Sequence, residues 1–564
     1  MDLIKSRLKF FIIVIILISA GLIFRLFQKQ ILERDYYVAL AKKQYTVIKE
    51  ILPQRGKIFI SDYQGHESEV VAINLHFYDL LIVPKNVSDP KVTARKLANL
   101  CGMTEKEIYN QINNDKPYIP PLKKKLSAET AQKIEELGLD GVMLLPNVWR
   151  YYPEKQLASH VLGFVDAEGQ GRYGVEGYYN QELKGKSSEM DVNKEDLSYL
   201  DYASQPGGVY NGSDIYLTID RNIQFVVEQK LKEAVEKNQA ESGSIIISDP
   251  KTGKIYAMAA WPNFDPNTFY NQKGVDIFNN SNIAYSYEPG SVFKVFGMAA
   301  GLDLAKITPE TEQVFGSTIK IGPETIHTST NRAYGRETMT EILKHSDNVG
   351  MVWVAQQLGI DSFYKYIKDF GFGAKSQIDL DTEAKGSVLD IGDWRPITLA
   401  TNSFGQGIAV TPIQLISAVS AIANGGDLLQ PYVVNKIVEI NGQTIEKEPR
   451  VIRKVMKKES AAQLTDMMVS VVDKGYSNKA SVEGYPVAGK TGTAQIPNPD
   501  KKGYIEGANI GSFVGFAPAH NPKFTILVKI DKPKNVQWAE DSAAPVFKQM
   551  TEWLVNYFQI PKER

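Results

Sequence analysis

The chain has 564 residues, and 64 Lys and Arg against 65 Asp and Glu leave a net charge of −1. That balance excludes a globally basic nucleic-acid binder, and 43% hydrophobic with 23% charged residues excludes both a disordered chain and a polytopic membrane protein. A single cysteine, Cys101, rules out an intrachain disulfide and a Cys-based zinc site, and six scattered histidines argue against a His-rich metal centre, so no cofactor is expected.

In chain order, residues 8–27 form a nearly unbroken apolar run with Lys9 and Arg25 near its ends. Twenty helical residues at ~1.5 Å each reach ~30 Å, one hydrocarbon core, and the two charges can snorkel. The rival is a cleaved signal peptide with Lys5, Arg7 and Lys9 as its basic region, but Ile18 spoils a small-residue cleavage site around Ser19-Ala20-Gly21. The expectation is an uncleaved anchor within residues 1–30. Arg25, Lys29 and Arg34 balance the basic residues before the run, so charge does not orient it. No other segment reads as a span, which puts the rest of the chain on one side of the membrane.

A mixed region follows to about residue 205, with extended patches at 45–52, 70–75 and 78–83 and helices at 90–100 and 127–137. Gly169 to Gly174 fits the G-x-G-x-x-G dinucleotide fingerprint, but no βαβ pattern surrounds it. It reads instead as a Gly-rich loop leading into a helix over 175–183. Residues 196–213, with Gln205-Pro206-Gly207-Gly208, read as a linker. Beyond it, 217–220 lead into a helix over 223–236. The apolar runs 244–248 and 255–260 around Asp249-Pro250-Lys251-Thr252-Gly253 predict a hairpin. Runs 512–516 and 524–530 predict another strand pair, and Val546, Met550, Trp553, Leu554 and Tyr557 give a closing helix its apolar face. Strands flanking a long helical middle predict an α/β fold with a central antiparallel sheet.

No G-x-S-x-G and no H-E-x-x-H occurs. Ser-x-x-Lys occurs five times, starting at Ser6, Ser88, Ser291, Ser317 and Ser362, so context must choose. Ser291 follows Glu288-Pro289-Gly290 and opens an apolar helix predicted over 292–305, where Lys294 shares its face. Free N–H groups at a helix start suit a developing oxyanion. Burial among apolar neighbours disfavours the charged lysine, leaving an amine able to take the serine's proton. Ser346-Asp347-Asn348 follows 55 residues later and offers a hydroxyl and an amide for proton relay and substrate holding. A second Ser-x-Asn, Ser329-Thr330-Asn331, sits in a polar loop and reads as structural. Lys490-Thr491-Gly492-Thr493 lies in an extended run 144 residues beyond Ser346, whereas Lys251-Thr252-Gly253 is only the hairpin turn. On an edge strand Lys490 and Gly492 share one face, with Thr491 and Thr493 on the other. Gly492 admits a close backbone, the lysine can bind a carboxylate, and strand edges can pair with a peptide.

These three motifs, in this order, resemble those of class B penicillin-binding proteins, the monofunctional peptidoglycan transpeptidases. The resemblance extends to Tyr287-Glu288-Pro289-Gly290-Ser291, Leu217-Thr218-Ile219-Asp220, Ser403-Phe404-Gly405-Gln406-Gly407, Ala423-Asn424-Gly425-Gly426 and Phe513-Val514-Gly515-Phe516-Ala517-Pro518. In the first half it rests on Arg55-Gly56-Lys57-Ile58 and on Gly174-Val175-Glu176 running into Leu183-Lys184-Gly185; Phe59-Ile60-Ser61 is a departure that lengthens the step to Asp62. Asn348-Val349-Gly350-Met351 and the 403–407 run are more similar to the septal, cell-division branch than to the elongation branch.

The resemblance implies a cytoplasmic tail and transmembrane anchor at 1–30, an extended α+β pedestal at 31–205 and a penicillin-binding transpeptidase fold at 214–560. It implies a serine D,D-transpeptidase in which Ser291 attacks the stem peptide between its terminal D-alanines. Lys294 is then the general base, Ser346 and Asn348 relay the proton and bind the acyl group, and Lys490 and Thr491 hold the terminal carboxylate. The backbone N–H groups of Ser291 and Thr493 form the oxyanion hole beside Gly492. Implied partners are stem peptides, β-lactams, a membrane glycan polymerase and divisome proteins. The resemblance also implies a cytoplasmic N-terminus with the bulk of the chain extracytoplasmic. An elongation-type transpeptidase, a D,D-carboxypeptidase using water as acceptor, a β-lactamase or β-lactam sensor, and a non-catalytic septal scaffold are the alternatives.

Overall fold

The computed structural model describes residues 2–34, 37, 46–51, 53–63, 68–114, 116–186, 188–193, 211–498, 500–501 and 503–563. The linker expected at 196–213 falls almost wholly outside them. The chain divides into two compact units, one drawn from 1–54 with 185–212, the other from 55–184 with 213–564. In the first, a helix spans Asp2–Phe27, and the stretch Phe10–Leu32 is long and apolar enough to cross a membrane. The extended patch expected at 45–52 is the strand Thr46–Ile51, antiparallel to Ser188–Asn193. That partner strand was not expected, because Ser188-Glu189-Met190-Asp191 carries no apolar alternation.

In the second unit the strands lie in two sheets and several two-stranded pairs. One sheet runs Thr444–Glu446, Val434–Val438, Asp214–Asp220, Ile58–Ser61, Glu69–Ile82, Lys123–Leu126, with Val142–Tyr151 also paired to Glu69–Ile82. Ile58–Ser61 pairs in parallel with Asp214–Asp220, and the lengthened Phe59-Ile60-Ser61 step is absorbed as register shifts against both neighbours. The patches expected separately at 70–75 and 78–83 are one 14-residue strand. Pairing to Val142–Tyr151 runs unbroken from Ile73↔Tyr151 to Ile82↔Val142 and carries the strand through His76-Phe77. Val142–Tyr151 itself was missed: it is largely exposed and holds Pro146, both contrary to strand patterning.

Helices Pro90–Cys101 and Ala128–Glu135 match expectation, each started by a side-chain cap, Asp89 and Ser127. Glu105–Ile112 was not expected, although Thr104 and Glu107 form a capping box that the sequence displays. The glycine run is a packing device. An added Cβ at Gly171 would lie 1.8 Å from the Glu176 carbonyl, and one at Gly174 2.4 Å from that of Val161. The helix expected at 175–183 is instead two short ones, Gly174–Tyr178 and Asn180–Lys184, parted at Tyr179, whose hydroxyl donates to Asp379 at 3.0 Å. Behind the run, Glu176 is fully buried and accepts from Arg55 Nε and Arg150 Nε, both at 2.7 Å.

The other sheet is five-stranded and antiparallel, in the order Ile255–Trp261, Ser242–Ser248, Phe524–Asp531, Tyr504–Ala517, Ala488–Pro497. Its strands are apolar on both faces. Ile245, Ile247, Phe513, Ile526 and Val528 pack on helices Arg221–Lys237 and Ala539–Tyr557, through residues such as Val227, Leu231, Phe547 and Met550. Ile246, Val514, Phe516 and Leu527 face the helical middle, which includes Lys294–Asp303, Asn348–Asp369, Pro412–Ala423 and Lys458–Lys474. This is the expected α/β architecture of a central antiparallel sheet flanked by helices.

Replacing Glu176 with Gln leaves two buried guanidinium groups without their carboxylate. The expected loss is about 3–5 kcal/mol, read as a large drop in thermal midpoint. Arg172→Ala, at a pair whose arginine is exposed, should cost no more than about 1 kcal/mol and shift the midpoint far less. Equal midpoints for the two variants would contradict the buried cluster's structural role.

Candidate active site

Ser291 sits in a tight 3₁₀ turn, Gly290–Phe293, that feeds the helix Lys294–Asp303, so the helix expected over 292–305 starts two residues late and ends two early. Three glycines clamp this turn. Gly290 has φ +56 and donates its N–H to Gly405 O at 3.1 Å. A Cβ at Gly405 would lie 2.1 Å from Gly290 O, and one at Gly492 2.6 Å from Pro289 O. Glu288 ties the same region together, accepting from Gly407 N at 2.9 Å and Tyr504 OH at 3.1 Å.

Lys294, on the same helical face, is completely buried. Its Nζ donates to Ser346 O at 2.5 Å and to Ser346 Oγ at 3.1 Å. Ser346 can offer both oxygens because it is a helix junction: with φ 54 it ends the helix Met339–His345 in the left-handed region. Asp347 then caps Asn348–Asp369 by accepting from Val349 N and Gly350 N. Burial, reinforced by the nearby Lys490 charge, holds the Lys294 amine well below the usual lysine range, against the opposing pull of Asp347 and Glu337. Lys490 is buried too, and burial pushes it down to about 7. Its Nζ donates to Thr491 O at 3.0 Å and Thr491 Oγ1 at 3.4 Å.

Lys490 to Thr493 lie on Ala488–Pro497, the edge strand of the five-stranded sheet, and alternate as expected: Lys490 and Gly492 are buried while Thr491 and Thr493 are partly exposed. Both threonines line a cavity of about 330 Å³, together with Gly290, Ser291, Ser346 and Asn348. Lys294, Lys490 and Gly492 are not among its lining residues. Thr493 Oγ1 accepts from Ala539 N at 3.0 Å, and Asn348 Nδ2 donates to His327 O at 3.0 Å. The three motifs therefore meet at one cavity, with two amines behind its wall.

Sequence reasoning missed part of the lining. Ser329 and Thr330, read as a structural loop, are on it, as are Phe404, Gln406, Tyr476, Trp538 and Glu540. The 403–407 run carried a signal for two of these; the others arrive from loops that no spacing rule connects. The rival motifs are elsewhere. Lys251 Nζ donates to Asn521, Thr252 donates to Asp249, and Ser88 donates to Asp140. Ser317 and Ser362 do not line the cavity. A larger, shallower depression of about 500 Å³ between residues 239–241, 506–508 and 532–534 carries no motif residue.

Chemically, the site sets a hydroxyl at a helix start one turn from a deprotonatable buried amine, beside an edge strand whose one strand partner among the described residues is Tyr504–Ala517. Comparison with known proteins gives the family. Residues 243–552 match the penicillin binding protein transpeptidase domain, and residues 50–217 the penicillin-binding protein dimerisation domain. The chain is 33% identical to stage V sporulation protein D of Bacillus subtilis, over 96% of this chain and 84% of that one. It is 28% identical to the probable peptidoglycan D,D-transpeptidase PenA of Neisseria meningitidis, over 99% and 93%. Penicillin binding protein 3 of Mycobacterium tuberculosis, solved with aztreonam, superposes with a TM-score of 0.72 at 25% identity, covering 92% of this chain and 98% of that one.

If neutral Lys294 accepts the Ser291 proton, the rate of acylation rises as pH passes upward through the Lys294 pKa and then levels off. Because that pKa is depressed, the plateau is expected well below the ordinary 10.5. A stopped-flow acylation rate still climbing at about pH 10 would contradict this.

Proposed function

This chain belongs to the penicillin-binding protein transpeptidase family, and from that premise we propose that it is a peptidoglycan D,D-transpeptidase of cell-wall synthesis working through an acyl-enzyme on Ser291. One observation carries the residue assignment: the buried Lys294 amine is seated on Ser346 one helical turn from Ser291, beneath the cavity that both serines line.

In acylation, Ser291 Oγ attacks the carbonyl between the two terminal D-alanines and its proton passes to Lys294 Nζ. The C–N bond then breaks, and the leaving D-alanine amine takes that proton back by way of Ser346. In the second half, an amine from a neighbouring stem attacks the ester, loses a proton to Lys294, and Ser291 Oγ departs and is reprotonated. Asn348 holds the acyl group. Thr491 meets the terminal carboxylate from the cavity wall, with Lys490 acting from behind it through the Thr491 hydroxyl. The oxyanion lies between the N–H groups of Ser291 and Thr493. Support for Thr493 comes from its carbonyl, which a Cβ on Gly290 would approach to 3.0 Å. In an antiparallel strand a residue's N–H and C=O point to the same edge, so its N–H faces the nucleophile turn as well. β-Lactams mimic the dipeptide and trap Ser291.

Residues 1–30 act as tail and anchor, 31–205 as pedestal and 214–560 as the transpeptidase domain. The N-terminus is cytoplasmic and the catalytic part lies outside the membrane. The septal branch is favoured over lateral-wall growth by the Asn348-Val349-Gly350-Met351 and 403–407 runs and by the likeness to stage V sporulation protein D, and a membrane glycan polymerase and divisome proteins are the partners. A D,D-carboxypeptidase would release D-alanine without cross-linking.

A fluorescent penicillin should label the chain covalently, and peptide mapping should place the adduct on Ser291. Ser317 and Ser362 share the motif spacing and serve as internal controls; an adduct on either, or labelling that survives Ser291→Ala, would overturn the assignment. For the oxyanion site, Thr493→Ser keeps both the N–H and a hydroxyl for Ala539 and should be mild. Thr493→Pro deletes the N–H, and such a loss costs on the order of 10²–10³ in rate. Small, equal losses in two variants that melt normally would refute the N–H role.

A further inference from the structure

Behind Ser346 lies a group of side chains that the acyl-transfer steps above do not use. Glu337, on the strand Gly335–Thr338, is 1% exposed, and its Oε1 is 2.6 Å from His345 Nδ1. Its Oε2 is shut off from solvent and receives no N–H or O–H donor; the neighbour of this carboxyl is the carboxyl of Asp347. Burial raises the proton affinity of Glu337, the His345 bond lowers it, and the charge of and hydrogen bond to the fully buried Asp347 carboxyl raise it again. Glu337 and Asp347 are the two carboxylates whose field acts on Lys294, against burial and the Lys490 charge. His345 is the last residue of the helix that delivers Ser346. Its ring stacks on Tyr334 at 4.9 Å between centroids, and the Tyr334 hydroxyl is 3.1 Å from Thr330 Oγ1 on the cavity wall.

We infer that Glu337, oriented by His345, is a positioning residue of the acylation step: it braces the helix junction on which the Lys294 amine is seated and supplies a negative field behind it. This rests on the reading of Ser291 as nucleophile and Lys294 as base. Glu337 does not line the cavity and touches no substrate. Two carboxyl groups buried against each other are costly to keep for stability alone. Here Glu337 offsets part of the penalty that burial and Lys490 impose on a Lys294 ammonium, the species formed when Ser291 gives up its proton. Deleting the charge should make Lys294 a weaker base that is deprotonated at lower pH.

The test is the acylation rate of the full chain with a fluorescent penicillin, followed as a function of pH, with thermal midpoints as the folding control. Glu337→Gln keeps the shape and removes the charge. Its rising limb should move to lower pH by on the order of one unit, the size expected of a nearby charge at an effective dielectric of about 20. Its plateau should fall, because a weaker base transfers the proton less well. His345→Phe keeps the stack on Tyr334 but removes the donor, so Glu337 takes up a proton beside Asp347, and the limb should move the same way. Where Glu337→Gln melts near the parent it decides the matter; if it fails to fold, His345→Phe decides. A reduced rate with an unmoved limb would mean that Glu337 is merely structural, and no change at all would likewise overturn the inference. Absence of Ser291 labelling in the unsubstituted chain is a separate outcome, which would sink the underlying reading of Ser291 and Lys294.

Discussion

Two lysine amines withdrawn from water beside one another set the terms of this site. Lys294 and Lys490 are 0% and 1% exposed; burial lowers the proton affinity of both, and the Lys490 charge lowers that of Lys294 further. Burial cannot be relieved by solvent, so their charge must be met by buried partners or given up. Lys490 meets it with the carbonyl and hydroxyl of Thr491, and Lys294 with the two oxygens of Ser346. The consequence is an amine that is a base at moderate pH, held one helical turn from a hydroxyl.

The fold supplies that arrangement by geometric means. Strand alternation turns Lys490 inward while Thr491 and Thr493 stay on the cavity wall. A left-handed residue between two helices turns the Ser346 carbonyl and hydroxyl to the same amine. Gly290, Gly405 and Gly492 let three backbone segments meet at distances that any side chain would prevent. Thr493 Oγ1 accepts from Ala539 N, so the strand that borders the cavity also fixes the start of the closing helix. Catalytic placement and core packing thus share the same few residues, and a change at one of them is felt in both.

Much of this was legible in the sequence because it obeys local rules. The three motifs are short, ordered and chemically explicit, and the hairpin, the closing helix and the edge-strand alternation follow from period and turn chemistry. What was not legible is non-local or runs against pattern. Val142–Tyr151 is a strand because Glu69–Ile82 offers it an edge, despite exposed side chains and Pro146. Ser329 and Thr330 belong to the cavity because distant loops converge there. The inward burial of Lys490 follows from alternation, but its pairing with Thr491 in place of an open approach to a carboxylate has no signature in the motif. The Glu337–His345 contact joins a strand to a helix end and has no signature in spacing.

The most direct measurement of the central claim is a side-chain NMR titration of the two lysines in the Ser291→Ala protein, assigned by substituting each in turn. The expected result is that Lys490 loses its proton near pH 7 and Lys294 well below the ordinary lysine value. Removing the Lys490 charge by Lys490→Ala should then raise the Lys294 pKa. Two signals titrating together near 10.5, the value of a free lysine, would contradict it, since neither amine would then be a base available to Ser291.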